Sequence, residues 1–476
     1  MRLPICHRHI VFFLLMTVPM PAVLIGQPSI DPPLPRQATG VRVGEMTDTS
    51  AVVWTRLTAN PTRNSTGQRF DATGAEKTAQ GNVDDLHGAC PGAPGRVRVR
   101  YSPRADLANS LVTDWVDVTE ATDFIHQFRL TRLKPGTQYH YAVESTGPGG
   151  QPVHGSVHGR FHTAPAADTP TNLTFCVMTC QDYRDRGHED GHPIYPSMEK
   201  LAPAFAVLTG DLVYYDSDHP KATNVRLARY HWERMFSLPR LKSFTASTGT
   251  YWLKDDHDTL VNDTWPGQSQ GDLTFAWGQK LFRQQAPMAD GPTYRTYRWG
   301  RDLQVWFSEG RDFRSPNNIP DGPNKTLWGH EQKAWFKKTV HESTAKWKIL
   351  ISPTPFVGPD RKNKNDNYAN AGFQHEGDEL RDWLKHHAPG LIVVCGDRHW
   401  QYHSVHPETG LNEFSVGPAS NEHAGGSPGE DKAIHRFHRV NGGFLSVTVR
   451  PEGPKSVARF TLHDVDGNPV YMWEPR

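Results

Sequence analysis

The feature that most constrains this chain is a pairing that recurs in its second half. A short apolar run ends abruptly in a cluster of acidic, thiol or imidazole side chains. LTFCVMT runs into Cys180-Gln181-Asp182, AFAVLT into Gly210-Asp211-Leu212-Val213-Tyr214, and LIVVC into Gly396-Asp397-Arg398-His399. Another cluster, Asp255-Asp256-His257-Asp258, has Asn262-Asp263 close behind it. Short aliphatic runs of this kind read as strands. An α/β sheet places its site just past the C-terminal ends of its strands. Helical stretches alternate with the runs, among them IYPSMEKLA, the Arg226 to Phe236 region and HEQKAWFKKTVHES. Residues 170–476 are therefore predicted to form an α/β domain. Its last strands are FLSVTVRP and SVARFTLHDVDGNPVYMWE.

The preceding region reads differently. VRVGEMTDTSAVVWTRL, RVRVRYS and FIHQFRLTRLKPGTQYHYAVES alternate with period two. The last of these resembles a strand, a tyrosine corner at Tyr139 and a second strand. That predicts an immunoglobulin-like or fibronectin III-like β-sandwich over residues 38–165. The polar, Gly-rich stretch from Asn60 to Gly95 reads as an insertion in it, and the sandwich as an accessory unit without chemistry. At the start, Arg2 and Arg8 precede an apolar stretch, Ile10 to Ile25, that Thr17, Pro19 and Pro21 interrupt. This is the pattern of a secretory signal over residues 1–26, with a secreted or periplasmic product and no membrane span after its removal.

Composition narrows the function. Hydrophobic residues make up 36% of the chain and the formal net charge is +1. This suits a globular protein and argues against a stable nucleic-acid partner. With 25 histidines, a lone His says little. The cysteines, Cys90, Cys176, Cys180 and Cys395 beyond the signal, lack the spacing of a disulfide framework or zinc knuckle. Oligomeric state is not encoded legibly.

Two-metal hydrolases hold their ions roughly 3.5–4 Å apart, so a carboxylate must bridge them. Asp211 is the natural bridge, because it follows a strand and has glycine beside it. Cys180, Tyr214, Asp211 and His399 combine thiolate, phenolate, carboxylate and imidazole, a donor set that suits ferric iron. Asp211, Asp256 and Asp397 offer only oxygen, which suits calcium, or else magnesium or manganese. Asn262 is the alternative to Asp256. His257 need not be a ligand, and Asp258 is a candidate to orient it. The basic run Arg361-Lys362-Asn363-Lys364 reads as a solvated loop tip.

Together the clusters resemble the calcineurin-like metallophosphoesterases. They are closer still to the alkaline phosphatase D (PhoD-like) family, whose motifs are a leading Cys, G-D-x-x-Y, D-D-H-[DE] and G-D-x-H. The resemblance runs from about Asn172 to the C-terminus, and the sandwich before it matches the family's usual N-terminal domain. It implies a four-layer β-sandwich flanked by helices. It also implies a metal-dependent alkaline phosphatase or phosphodiesterase that uses hydroxide in in-line attack on a phosphomonoester or phosphodiester. His257 would then face the leaving group, as acid or electrostatic stabiliser. Arg311 and Arg314 resemble a family stretch D-x-R-x-[YF]-R, with Glu309 in place of its Asp. Those two arginines and Arg398 are candidates for binding phosphate or for structural ion pairs. A phospholipase D-like transfer and an inactive binding or adhesion protein are the alternative functions.

Overall fold

Each apolar run becomes a strand whose two faces are both buried. In the strand Leu173–Met178, Phe175 and Val177 point into one core and Cys176 and Met178 into another. Phe205–Thr209, Trp347–Ser352 and Ile392–Cys395 behave alike. A strand buried on both faces sits in a sheet covered on both sides, which is why the runs are continuous rather than alternating. The computed structural model describes residues 36–70, 81–150, 153 and 155–475, besides Met1. The expected signal over residues 1–26 lies outside them.

Two mixed sheets pack face to face. One has nine strands, in which Leu173–Met178, Phe205–Thr209 and Thr250–Leu253 lie side by side and parallel. The other has seven strands and includes Leu303–Phe307, Trp347–Ser352 and Ile392–Cys395, also parallel. Phe175, Val207, Tyr251, Val305, Ile351, Val394 and Leu445 fill the space between them.

Helices α1 (Ile194–Lys200), α2 (Val225–Phe236), α3 (Pro239–Ser247) and α4 (Phe275–Gln285) cover the outer face of the first sheet. Helices α5 (Gly329–Glu342) and α6 (Gln374–His387) cover that of the second. The expected four layers are thus present. Local sequence sets the helix starts. Asn224 and Thr274 accept hydrogen bonds from the backbone N–H groups of Leu227 and Trp277, and Pro239 opens α3.

The N-terminal region is also a sandwich. Val41–Gly44, Ser50–Arg56 and Ile125–Thr131 face a second sheet built on Gly95–Ser102, Gln138–Thr146 and Gly155–His162. The Tyr139 hydroxyl accepts a hydrogen bond from the Lys134 N–H at 3.0 Å, closing the corner. One result was not legible in the sequence. Val41–Gly44 continues the nine-stranded sheet, parallel to Thr250–Leu253, and the Thr250 hydroxyl donates to the Val43 carbonyl at 2.7 Å. A single sheet therefore crosses the sequence boundary at 165–170, and described residues on both sides belong to one compact unit.

The insertion after Asn60 is tied down as well. Arg226 pairs with Asp84, Tyr230 donates to the His87 carbonyl, and Glu233 accepts from the Cys90 N–H.

Candidate metal centre

The strand ends converge where the two sheets meet. Cys180, Asp211 and Asp397, each directly past a strand, all have left-handed backbones, with φ of 49°, 54° and 63°. Non-glycine residues adopt this conformation rarely, and the strain gathers at functional positions. Hydrogen bonds across the ends hold it in place. The Cys180 N–H donates to the Gly210 carbonyl and the Gln181 N–H to the Asp211 carbonyl.

The glycines of the two G-D pairs permit the approach. A Cβ on Gly210 would lie 2.7 Å from the Asp255 Cβ, and one on Gly396 would lie 2.6 Å from the Thr209 carbonyl. Gly396 belongs to the second sheet and Thr209 to the first, so Gly396 lets the fourth motif reach the others.

Two donor groups share Asp211. Cys180, Asp211 and His399 bring donor atoms within 4.8 Å of one another, and so do Asp211, Asp256 and His257. Asp211 is common to both, as a bridge must be. The Cys180 thiol lies 3.5 Å from Asp211 Oδ2. Tyr214 is buried nearby, and its hydroxyl lies 2.9 Å from Nε2 of His423.

Buried carboxylate oxygens are left over: among the described residues, Asp211 Oδ1 has no hydrogen-bond partner, and Asp256 Oδ1 has only the Arg311 guanidinium, at 3.5 Å. An orphaned buried anion is costly, and bound cations are one standard remedy. Burial, and then the charge of Asp256, pushes the Asp211 carboxyl well above its ordinary range. Burial, then Asp211, does the same to the Cys180 thiol, and burial, then Cys180, to the Tyr214 phenol. Groups that resist ionising alone become good ligands once a cation shares the site. The residues present thus fit a pair of metal ions. A separate cavity of about 720 Å³ between α4 and the strand Ile125–Thr131 contains none of these side chains.

Several expectations need correction. Asp258 does not orient His257. Its carboxylate accepts from the N–H groups of Leu212 and Asp255, at 3.1 and 2.7 Å, and so ties the second and third motifs together. The orienting acid is Asp216, whose Oδ1 lies 2.6 Å from His257 Nδ1. Burial disfavours the His257 imidazolium, but the Asp256 and Asp211 carboxylates outweigh it and hold its pKa well above the usual histidine value.

Asp397 lies beside the two donor groups, with the Arg398 guanidinium 3.2 Å from its carboxylate. Asn262 is exposed and meets Asp216 through its backbone N–H. Arg311, Arg314 and Arg398 each make a contact of the structural kind. Arg311 pairs with Asp255 at 2.5 Å, Arg314 donates to Asn317 and the Asp366 carbonyl, and Arg398 pairs with Asp360 at 2.9 Å. All three are buried, and among the described residues each keeps guanidinium nitrogens without a hydrogen-bond partner.

The basic run is only partly a loop tip, since Lys364 turns inward to Asp263 at 2.5 Å and Asp366 at 3.3 Å. The sequence reading missed Asp216 and His423. Asp216 stands two residues past Tyr214, and that closeness to the second motif is the signal that marks it. His423 lies in a loop, SNEHAGG, with no motif to mark it.

Fold and donor set together define a class: an α/β sandwich of the metallophosphatase type. Solved structures with this fold include "Structure of PhoD", with a TM-score of 0.70 and 17% identity over 92% of this chain and 88% of that one. Another is the purple acid phosphatase PPD1 from yellow lupin (Lupinus luteus) seeds, with a TM-score of 0.61 and 12% identity over 91% of this chain and 73% of that one. Residues 175–442 match the PhoD-like phosphatase profile, and residues 28–165 match that of the PhoD-like phosphatase N-terminal domain. The chain belongs to the PhoD-like phosphatase family. Alkaline phosphatase D of Bacillus subtilis (strain 168) is 26% identical over 265 residues, which span 47% of this chain and 44% of that protein. The chain thus matches less than half the length of that relative.

Proposed function

We propose that this protein hydrolyses phosphate esters, monoesters or diesters, at a centre of two unlike metal ions. The observation that carries this reading is the shared carboxylate of Asp211 between two buried donor groups, with an oxygen left unpartnered. Cys180, Asp211, Tyr214 and His399 would hold the first ion, for which ferric iron suits the sulfur, phenol and imidazole donors. Asp211 and Asp256, with Asp397 as the further carboxylate, would hold the second, calcium or else magnesium or manganese. When bound, such a pair supplies Lewis acidity toward the phosphoryl oxygens and makes hydroxide available near neutral pH.

The chain's own residues do the rest. Asp216 fixes His257 through Nδ1, which leaves Nε2 to donate a proton to the departing oxygen. Asp258 holds the backbone of the second and third motifs in register.

Residues 38–165 are read as a fibronectin III-like sandwich, supported by the Tyr139 corner, and residues 170–476 as the catalytic part. The basic and apolar start of the chain supports an extracytoplasmic location, and among the described residues no helix is long and apolar enough to cross a membrane.

The test is hydrolysis of bis-p-nitrophenyl phosphate and p-nitrophenyl phosphate by protein loaded with iron and calcium, alongside Asp211→Asn. The parent should turn over one or both substrates. The variant should fall by roughly 10³-fold or more, about 4 kcal/mol of barrier. A variant as active as its parent rules out the shared carboxylate.

A further inference from the structure

His423 lies in the loop beyond the strand Asn412–Val416, outside every motif, yet it touches two of the four side chains assigned to the first metal position. Its Nε2 is 2.9 Å from the Tyr214 hydroxyl. Its ring packs on that of His399, with centroids 4.2 Å apart. Behind it, Nδ1 lies 3.2 Å from Asp185 Oδ2. Tyr214 follows a strand of the first sheet and His399 a strand of the second. One imidazole therefore links ligands that reach the site from opposite sheets.

Asp182, Asp185 and His423 also bring three donor atoms within 4.8 Å, so a third ion is the competing reading. The contacts argue against it. Asp182 is engaged by Arg184, whose Nη2 lies 2.7 Å from Oδ2 and whose Nε lies 3.3 Å from Oδ1. Both nitrogens of His423 already have partners.

We propose that His423, steered by Asp185, is a positioning residue that holds Tyr214 and His399 in their ligand arrangement at the first metal position. Carboxylate–histidine pairs commonly orient metal ligands from behind in this way, and losing such support costs about 10–100-fold in metal affinity. The role rests on the metal reading proposed above.

The full chain, loaded with ferric iron, provides three readouts: iron affinity in competition with a chelator, ions bound per chain, and the visible absorption a phenolate gives when it ligates ferric iron. His423→Ala is expected to keep the ion count, lose about 10–100-fold in iron affinity and weaken or shift the absorption. His423→Gln, which keeps an amide in reach of the Tyr214 hydroxyl, should recover part of both. Asp185→Asn should show a smaller loss of the same kind. Its side chain is 37% exposed, so this arm stands even if His423→Ala fails to fold. Unchanged affinity and absorption in His423→Ala and Asp185→Asn overturn the role. So does loss of one whole ion per chain, which would make His423 itself a ligand. Tyr214→Phe separates the two layers. If the absorption survives that change unaltered, Tyr214 is not a ligand of the iron, and the positioning role fails with that assignment. If it vanishes there but stays intact in the His423 and Asp185 variants, only the positioning role fails.

Discussion

The two halves of the candidate centre are held in place by different forces. On the Cys180 side the donors are a thiol, a phenol and an imidazole, with the Thr179 hydroxyl beside the thiol, His423 beside the phenol and the ring of His423 stacked on that of His399. On the Asp256 side the carboxylates stand among buried cations. Arg311 is 2.5 Å from Asp255 and 3.5 Å from Asp256, Arg398 grips Asp397, and Lys364 reaches Asp263. A neutral donor can be removed without stranding a charge. A cation removed from a buried carboxylate leaves an uncompensated ion, which costs far more. The first half is thus built for its chemistry at little cost to the fold, while in the second half the site and the fold share the same ion pairs.

Metal removal is the largest test of that contrast. A chelator selective for hard divalent ions should abolish phosphodiester hydrolysis and leave the iron absorption in place, and added calcium should restore the rate. Iron and calcium leaving together would erase the asymmetry.

Next in size is Arg311→Met in metal-free protein. It strands Asp255 and should lower stability by about 3–5 kcal/mol, read from a denaturant midpoint. An unchanged midpoint would mean the ion pairs of the second half do not support the fold.

A third test uses acid. His192 is fully buried against the Asp182 carbonyl, and burial lowers its pKa to about 4. The unfolded chain binds this proton near pH 6.5, so the stability it contributes is present above pH 6.5 and is lost as pH falls toward 4. The loss reaches about 3 kcal/mol. His192→Gln should flatten the stability profile across that window. A slope unaltered by the change would place the acid sensitivity elsewhere.

The smallest effect should be Cys180→Ser, which is expected to shift metal-free stability by less than about 1 kcal/mol while lowering iron affinity. A large loss of stability there would show that the neutral half also supports the fold.

Motifs were readable because strand ends are continuous in sequence. Cys180, Asp211, Tyr214 and His399 each follow an apolar run, and the four-layer arrangement follows from runs buried on both faces. The partners of those residues were not readable. Asp258 is adjacent to His257 in sequence and looked like its orienting acid, but the turn directs its carboxylate into backbone N–H groups and leaves the role to Asp216, forty-one positions upstream. The three arginines show the same limit. Sequence spacing suggests that a guanidinium is near a phosphate site, whereas only packing reveals that Asp255, Asp360 and the Asp366 carbonyl are among its partners. His423 was invisible because loop residues carry no periodicity.

The strand Val41–Gly44 seated beside Thr250–Leu253 has a practical consequence for handling this protein. Cutting the chain at residue 170 would strip the cover from the strand that leads into the third motif. Thr250 would lose its bond to the Val43 carbonyl and its pairing with Gly44, Tyr251 would lose its bond to the Met46 carbonyl, and the strand edge at Thr250 would be bared. Bare edges recruit other chains. A shortened catalytic fragment should therefore aggregate, and a fusion or tag is better placed at the C-terminal end, where Pro469–Trp473 already forms the outer strand of the same sheet.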